Sequence, residues 1–203
     1  KEEEIYHAFN KFKGEIEQIP SMYSALKYKG QKLYELARKG KTVERKPRQA
    51  TIYELIIKKI VDKKIIFYVK CSKGTYVRTL CDDIGEYLGT YGYMSFLLRV
   101  GVGNFRIEDS ISLDQLKELD SNSLESMIIP IDEGLMHLDK IKLDKKYFTK
   151  LINGVKIYMK ELSINKYNVN IPMRVYCDNK FIGIGRINQS KHDLYIKMDK
   201  VLI

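Results

Sequence analysis

The 203-residue chain has no tryptophan, only four prolines, three cysteines and three histidines, and no unbroken apolar run near the ~18 residues of a membrane-spanning helix. Each shortage excludes something. Cys71, Cys81 and Cys177 form no CxxC, stand at no zinc-like spacing from a histidine and are odd in number, so neither a disulfide framework nor a metal site is indicated. A reducing cytoplasm fits this cysteine usage. His7, His137 and His192 lie far apart and none is near a serine or cysteine nucleophile, which leaves a hydrolytic triad unsupported. No glycine-rich dinucleotide or phosphate-loop signature is present, so no nucleotide cofactor is expected. The opening Lys1-Glu2-Glu3-Glu4 is no signal peptide, and it carries no initiator Met, as a processed or cut chain would begin.

What is present describes a folded protein. Hydrophobic residues make up 44% and aromatics 11%, enough for a core, and the length allows one large domain or a domain with an appendage. Lys and Arg number 36 against 26 Asp and Glu, a net +10. Such an excess points to a polyanionic partner or to a basic proteome. It is unevenly spread: residues 1–48 carry +5, residues 49–136 carry −3 and residues 137–203 carry +8. Between Ala25 and Arg48 nine basic residues face only Glu35 and Glu44. That is a patch rather than a background.

Along the chain, Ile5, Ala8, Phe9 and Phe12 recur at helical spacing up to Gly14. Ile16 to Pro20 and Met22 to Leu26 read as apolar-polar runs. A turn at Tyr28-Lys29-Gly30-Gln31 precedes a helix through Leu33, Leu36 and Ala37 that ends at Gly40. Ala50 to Val61 and Ile65 to Cys71 read as a hairpin about Asp62-Lys63-Lys64. Gly74-Thr75 opens a helix with Val77, Leu80, Cys81, Ile84 and Leu88 on one face, closed by Gly89. Met94 to Ile107 reads as a strand interrupted by Gly101 and Gly103, Ser112 and Gln115 as a capping box, and Asp120 to Ser123 as a surface loop. After a boundary near residue 136, Asp144 caps a helix to Ile152, Asn153-Gly154 turns, and strands follow around Asp178-Asn179 and Asn188-Gln189. The fold class expected is α+β.

Chemistry concentrates in Lys70 to Gly85. Lys73 and Arg78 sit where a helix N-terminus disfavours cations by about 0.3–1 kcal/mol, so another use is indicated. Arg78 offers a planar fork to a carboxylate or phosphate, and Tyr76 a face on which a nucleobase can stack. The bland alternative is an Arg78–Asp82 pair at i, i+4 with Tyr76 in the core. Asp82 and Asp83 point about 100° apart and cannot close on one atom. In the basic patch, Lys27, Lys29, Lys32, Arg38, Arg45, Lys46 and Arg48 interleave with Tyr28 and Tyr34, as a surface following a phosphate backbone would, or as a solvated helix face and loop would.

Three long stretches carry a resemblance: Ile16 to Lys27, Gly30 with Leu33 to Gly40, and Val43 to Arg48. With Cys71 to Gly85 and then Met94, Leu97, Arg99 and Gly103, they resemble the bacterial tRNA pseudouridine synthase B (TruB) family across essentially the whole chain. The resemblance implies part of a pseudouridine-synthase mixed sheet with helices over 1–136 and a small β-rich, PUA-like RNA-binding domain over 137–203. It implies isomerisation of a T-loop uridine of tRNA without metal or organic cofactor, on a base flipped out of its stack and attacked by an aspartate. It makes Arg78 the cation paired with that aspartate, Tyr76 an aromatic contact to the uridine, and Leu97 an apolar contact at the same nucleotide. With Lys73 and the seven cations of the basic patch, these are the expected site residues.

The family's Gly-His-Thr-Gly-Thr-Leu-Asp-Pro motif, which holds the nucleophile, and a preceding Lys-Pro-x-Gly-x-Thr-Ser motif are not in this chain. The expectation is therefore a C-terminal piece, inactive alone, of an enzyme monomeric when complete, with an exposed sheet edge through which the piece can self-associate. Thr90-Tyr91-Gly92-Tyr93 and Leu98 depart from the family's usual residues and bear on local RNA contacts. The alternative function is a non-catalytic RNA-binding or tRNA-chaperone module. The partner in either case is a tRNA T stem-loop, with no membrane.

Overall fold

The computed structural model describes residues 1–162, 168–190 and 193–203, so His192 lies outside the described residues. The chain forms two compact units, Lys1–Leu98 and Arg99–Ile203.

In the first unit, helix α1 (Glu2–Lys11) carries Glu2, Glu3 and Glu4 in its first turn, where they complement the helix dipole, and buries Ala8 and Phe9. Strand β1 (Gly14–Gln18) leads to a small hairpin of β2 (Lys27–Tyr28) and β3 (Gln31–Lys32), then to α2 (Leu33–Arg38). The hairpin turn holds Lys29 at φ 47° and Gly30 at φ 85°, the pair of left-handed residues that matches strand twist. The run Met22 to Leu26 is not a strand: it turns, and Met22 packs with Leu33 and Leu36 of α2 in a small satellite cluster.

Strands β4 (Arg48–Val61) and β5 (Lys64–Cys71) form the expected hairpin about Asp62, which sits at φ 52°. The sheet order is β1-β4-β5, all antiparallel. Inward residues of β4 run Ala50, Ile52 and then Leu55, because the register against β5 slips between Ile52 and Glu54. The bulge restores Leu55 to the core face that strict alternation would have denied it. Helix α3 (Val77–Tyr87) lays Leu80 and Ile84 with Ala8, Phe9, Ile52 and Leu55 in one buried cluster. Truncating Leu80, fully buried, would cost about 2–5 kcal/mol.

The second unit begins with a two-residue hairpin, β6 (Gly101–Val102) and β7 (Phe105–Arg106), so the strand expected over Met94 to Ile107 does not form. Among the described residues the stretch ahead of Gly101 joins no sheet; of its backbone groups the Val100 carbonyl accepts from the Ile107 amide at 3.1 Å, and extended chain becomes a strand only with a continuous neighbour. Ser112 and Gln115 make the capping box of α4 (Leu113–Lys117). The segment expected as a loop instead starts α5 (Ser121–Ser126), because the Asp120 carboxylate accepts from the Ser123 amide at 3.0 Å and caps it.

A five-stranded sheet follows, ordered β8-β10-β11-β12-β9, from β8 (Lys140–Leu143), β9 (Ile157–Tyr158), β10 (Pro172–Cys177), β11 (Lys180–Gln189) and β12 (Leu194–Val201). Among these five strands β8 and β10 pair in parallel and the other neighbours antiparallel. Asn188-Gln189 belongs to β11 rather than to a turn. Asp144 opens a short 3-10 turn ahead of α6 (Phe148–Ile152) and makes no side-chain cap. The core of Leu143, Leu151, Ile157, Val175, Ile182, Ile187 and Ile196 belongs to this sheet and helix, whereas residues 99–142 contribute no fully buried side chain. Those residues are tied to β10 by polar contacts: Arg174 Nε donates to the Leu138 carbonyl at 3.1 Å and Tyr176 OH to Asp132 at 2.6 Å.

Candidate functional site

The junction between β5 and α3 is built by side chains that extend the backbone ladder past its last paired residue. Ser72 donates its amide to the Thr51 carbonyl at 2.8 Å, while its Oγ accepts from the Thr51 amide at 2.9 Å. Thr75 Oγ1 donates to the Ser72 carbonyl at 2.8 Å. Gly74 turns between them at φ 85°, a conformation that a residue with a Cβ resists. The chain then enters Tyr76, the extended residue that caps α3 without a side-chain bond of its own.

Tyr76 is held from across the sheet. Gln18, 2% exposed, accepts from the Tyr76 amide through Oε1 at 3.0 Å and donates through Nε2 to the Tyr76 carbonyl at 3.2 Å. A polar residue two positions after Ile16, on the same face of β1, was the sequence signal for it. Tyr76 is half-buried, and Arg78, two residues later, is exposed. Among the described residues Arg78 has neither an ion-pair nor a hydrogen-bond partner, so the local pair with Asp82 is not made. The guanidinium stands at a helix start with its fork uncommitted. Lys73 is also exposed and unpaired among the described residues.

Leu97 is 51% exposed and belongs to no buried cluster; the structure does not pack it with the core as it does Leu80. Its segment is anchored to α3 upstream. Thr90 donates its amide to the Gly85 carbonyl at 2.9 Å, and a Cβ on Gly85 would overlap the Gly92 backbone. Neither glycine was singled out from sequence. Tyr91 at this crossing and Tyr93, Phe96 and Leu98 beyond it are all exposed.

A cleft of about 450 Å³ lies in the same unit, lined by Phe12, Glu17, Ile19, Ser21, Arg45, Thr79, Asp82 and Asp83. Asp82 and Asp83 thus border one cavity despite their angular separation. Burial, with repulsion from Asp82 and Glu86, raises the Asp83 carboxyl above its ordinary range. Burial and Asp82 likewise push the Cys81 thiol up, which disfavours a thiolate nucleophile.

Of the basic patch, Lys27, Lys29, Lys32, Arg38, Lys46 and Arg48 are exposed and make no ion pair among the described residues. The Lys29 ammonium lies 5.6 Å from the Tyr28 ring centre, and Lys32 and Arg38 lie 5.5 and 5.4 Å from that of Tyr34. Arg45 differs: it is half-buried and donates through Nη1 to the Pro20 carbonyl at 3.1 Å. Among the described residues no cluster of His, Cys, Asp and Glu could hold a metal ion, and no helix is long and apolar enough to cross a membrane.

Residues 1–77 match the TruB family pseudouridylate synthase N-terminal domain, and residues 78–136 the tRNA pseudouridylate synthase B C-terminal domain. The chain belongs to the TruB family. The tRNA pseudouridine synthase B of Alkaliphilus oremlandii is 42% identical over 202 residues, covering 98% of this chain and 67% of that protein. That of Clostridium tetani is 46% identical over 186 residues, covering 91% and 63%. The chain therefore spans about two thirds of the length of these TruB relatives. A solved Cbf5-Nop10-Gar1 complex contains a chain that matches with TM-score 0.76 at 21% identity, covering all of this chain and 62% of that one, a likeness of fold alone.

Proposed function

We propose that this chain supplies the uridine-binding and cation half of a tRNA pseudouridine synthase acting on a T-loop uridine, in the cytoplasm, as part of a longer polypeptide that carries the nucleophilic aspartate. The observation that carries the reading is Arg78, a guanidinium exposed and uncommitted among the described residues, two residues after a tyrosine pinned by its backbone. Arginine placed against a helix dipole with no partner of its own is suited to receive a carboxylate from elsewhere.

In this reading the target uridine leaves its stack and lies against Tyr76, with Leu97 as an apolar wall. The aspartate carboxylate attacks C1′ as the N1–C1′ bond breaks, the uracil turns, and C5 bonds to C1′ as the aspartate–C1′ bond breaks and frees the carboxylate; the C5 proton is lost and N1 gains one. Arg78 keeps the aspartate ionised and aimed. The exposed cations from Lys27 to Arg48 and Lys73 hold the phosphates of the T stem, and residues 137–203 form a PUA-like RNA-binding domain. The enzyme is monomeric when complete and draws on no metal or organic cofactor. The test is to incubate unmodified tRNA with the full-length enzyme and map pseudouridine by mass spectrometry. A single modified T-loop uridine is expected, and modification confined to other loops contradicts the assignment.

A further inference from the structure

We infer that Gln18 is a positioning residue for the reaction, acting through the backbone of Tyr76; the inference rests on the synthase reading above. A buried carboxamide has one acceptor and two donors, and here both ends are spent on a single residue 58 positions away. The side chain takes the place of a neighbouring strand, holding the N–H and C=O of Tyr76 at 3.0 and 3.2 Å.

Tyr76 is also the cap of α3, and its carbonyl accepts the first helical bond, from the Leu80 amide at 3.0 Å. One peptide therefore sets both the departure of the tyrosine ring and the direction in which the helix begins. Arg78 follows within that first turn and has no partner among the described residues to aim it, so its direction comes from the backbone alone. The cap residue makes no side-chain bond of its own, and Gln18 accepts from the cap's backbone amide as the N3 Glu of a capping box does elsewhere. Misplacing a catalytic group by about 1 Å can cost on the order of a hundredfold in rate. Gln18 touches no reacting atom; it keeps Tyr76 and Arg78 within that tolerance.

Two variants separate positioning from folding. Gln18→Met keeps the volume and removes both hydrogen bonds. Gln18→Glu keeps the acceptor but sets a second lone-pair oxygen against the Tyr76 carbonyl, unless the acid is protonated, when it again offers one acceptor and one donor. In the full-length enzyme assayed by pseudouridine formation, Gln18→Met is expected to lower kcat at least tenfold with KM for tRNA within threefold. Gln18→Glu, relative to the unmodified enzyme at each pH, should recover turnover as pH falls. Ile52→Val, a truncation in the same core, should lower the thermal midpoint and leave kcat in place. Normal kcat in Gln18→Met, or an equal loss in Ile52→Val, overturns the inference while the synthase reading stands. An unmodified enzyme without turnover overturns that reading and the inference with it.

Discussion

Gly85 of α3 and Gly92 of the following segment cross so closely that neither has room for a Cβ, the Gly92 position facing the carbonyl of Cys81. This contact fixes where the chain leaves α3 on its way to Leu97. Gly85→Ala should therefore destabilise the first unit by about 1–3 kcal/mol through overpacking, against a helix-propensity gain of only about 1 kcal/mol. Thermal unfolding followed by circular dichroism checks it, and an unchanged or raised midpoint contradicts the crossing.

Charge reversal tests the basic patch. Lys29 and Lys46 are exposed and unpaired among the described residues, so Lys29→Glu with Lys46→Glu should leave the fold intact. If both contact phosphates, the double variant should bind T stem-loop RNA more weakly, and the slope of log affinity against log salt should flatten by roughly 2. An unchanged slope returns the patch to a solvated surface. Arg45 is unsuitable for this test because it also holds the Pro20 carbonyl.

Arg78→Ala in the full-length enzyme should lower kcat by about 10²–10³, the usual effect of removing one charge-stabilising group from an active site, with little change in KM. A pure affinity loss would make Arg78 a phosphate contact instead.

Asp83 gives a pH signature. Its carboxyl is raised in the folded state, by burial first and by Asp82 and Glu86 next. A raised carboxyl favours the protonated form in the native protein, so its ionisation destabilises the fold above the raised value. That penalty is relieved as pH falls from there toward the ordinary carboxylate value near about 3.9. Asp83→Asn should raise the thermal midpoint at neutral pH and remove this part of its pH dependence. A lower midpoint at neutral pH would show that the carboxylate has a partner.

The helix α3 was legible in the sequence because Val77, Leu80, Cys81, Ile84 and Leu88 keep helical spacing between two glycines, and the β4–β5 hairpin because its turn residues stand between two apolar runs. The register slip after Ile52 was not, since a bulge changes which residue faces inward without changing composition. Nor was the absence of a strand over Met94 to Val100, because pairing depends on a neighbour that local pattern cannot reveal. In the candidate site, Arg78 was visible as a cation set against the helix dipole, and Tyr76 as an aromatic face beside it. Gln18 was not singled out: its bond to Tyr76 spans 58 residues, and only the fold brings the two together.

The decisive measurement is pseudouridine formation on a T stem-loop RNA by two proteins, this 203-residue chain and the longer polypeptide proposed to carry the aspartate motif. The expected result is RNA binding without isomerisation by the chain, and isomerisation by the longer polypeptide. Pseudouridine made by the chain alone would place the nucleophile within these residues and contradict it.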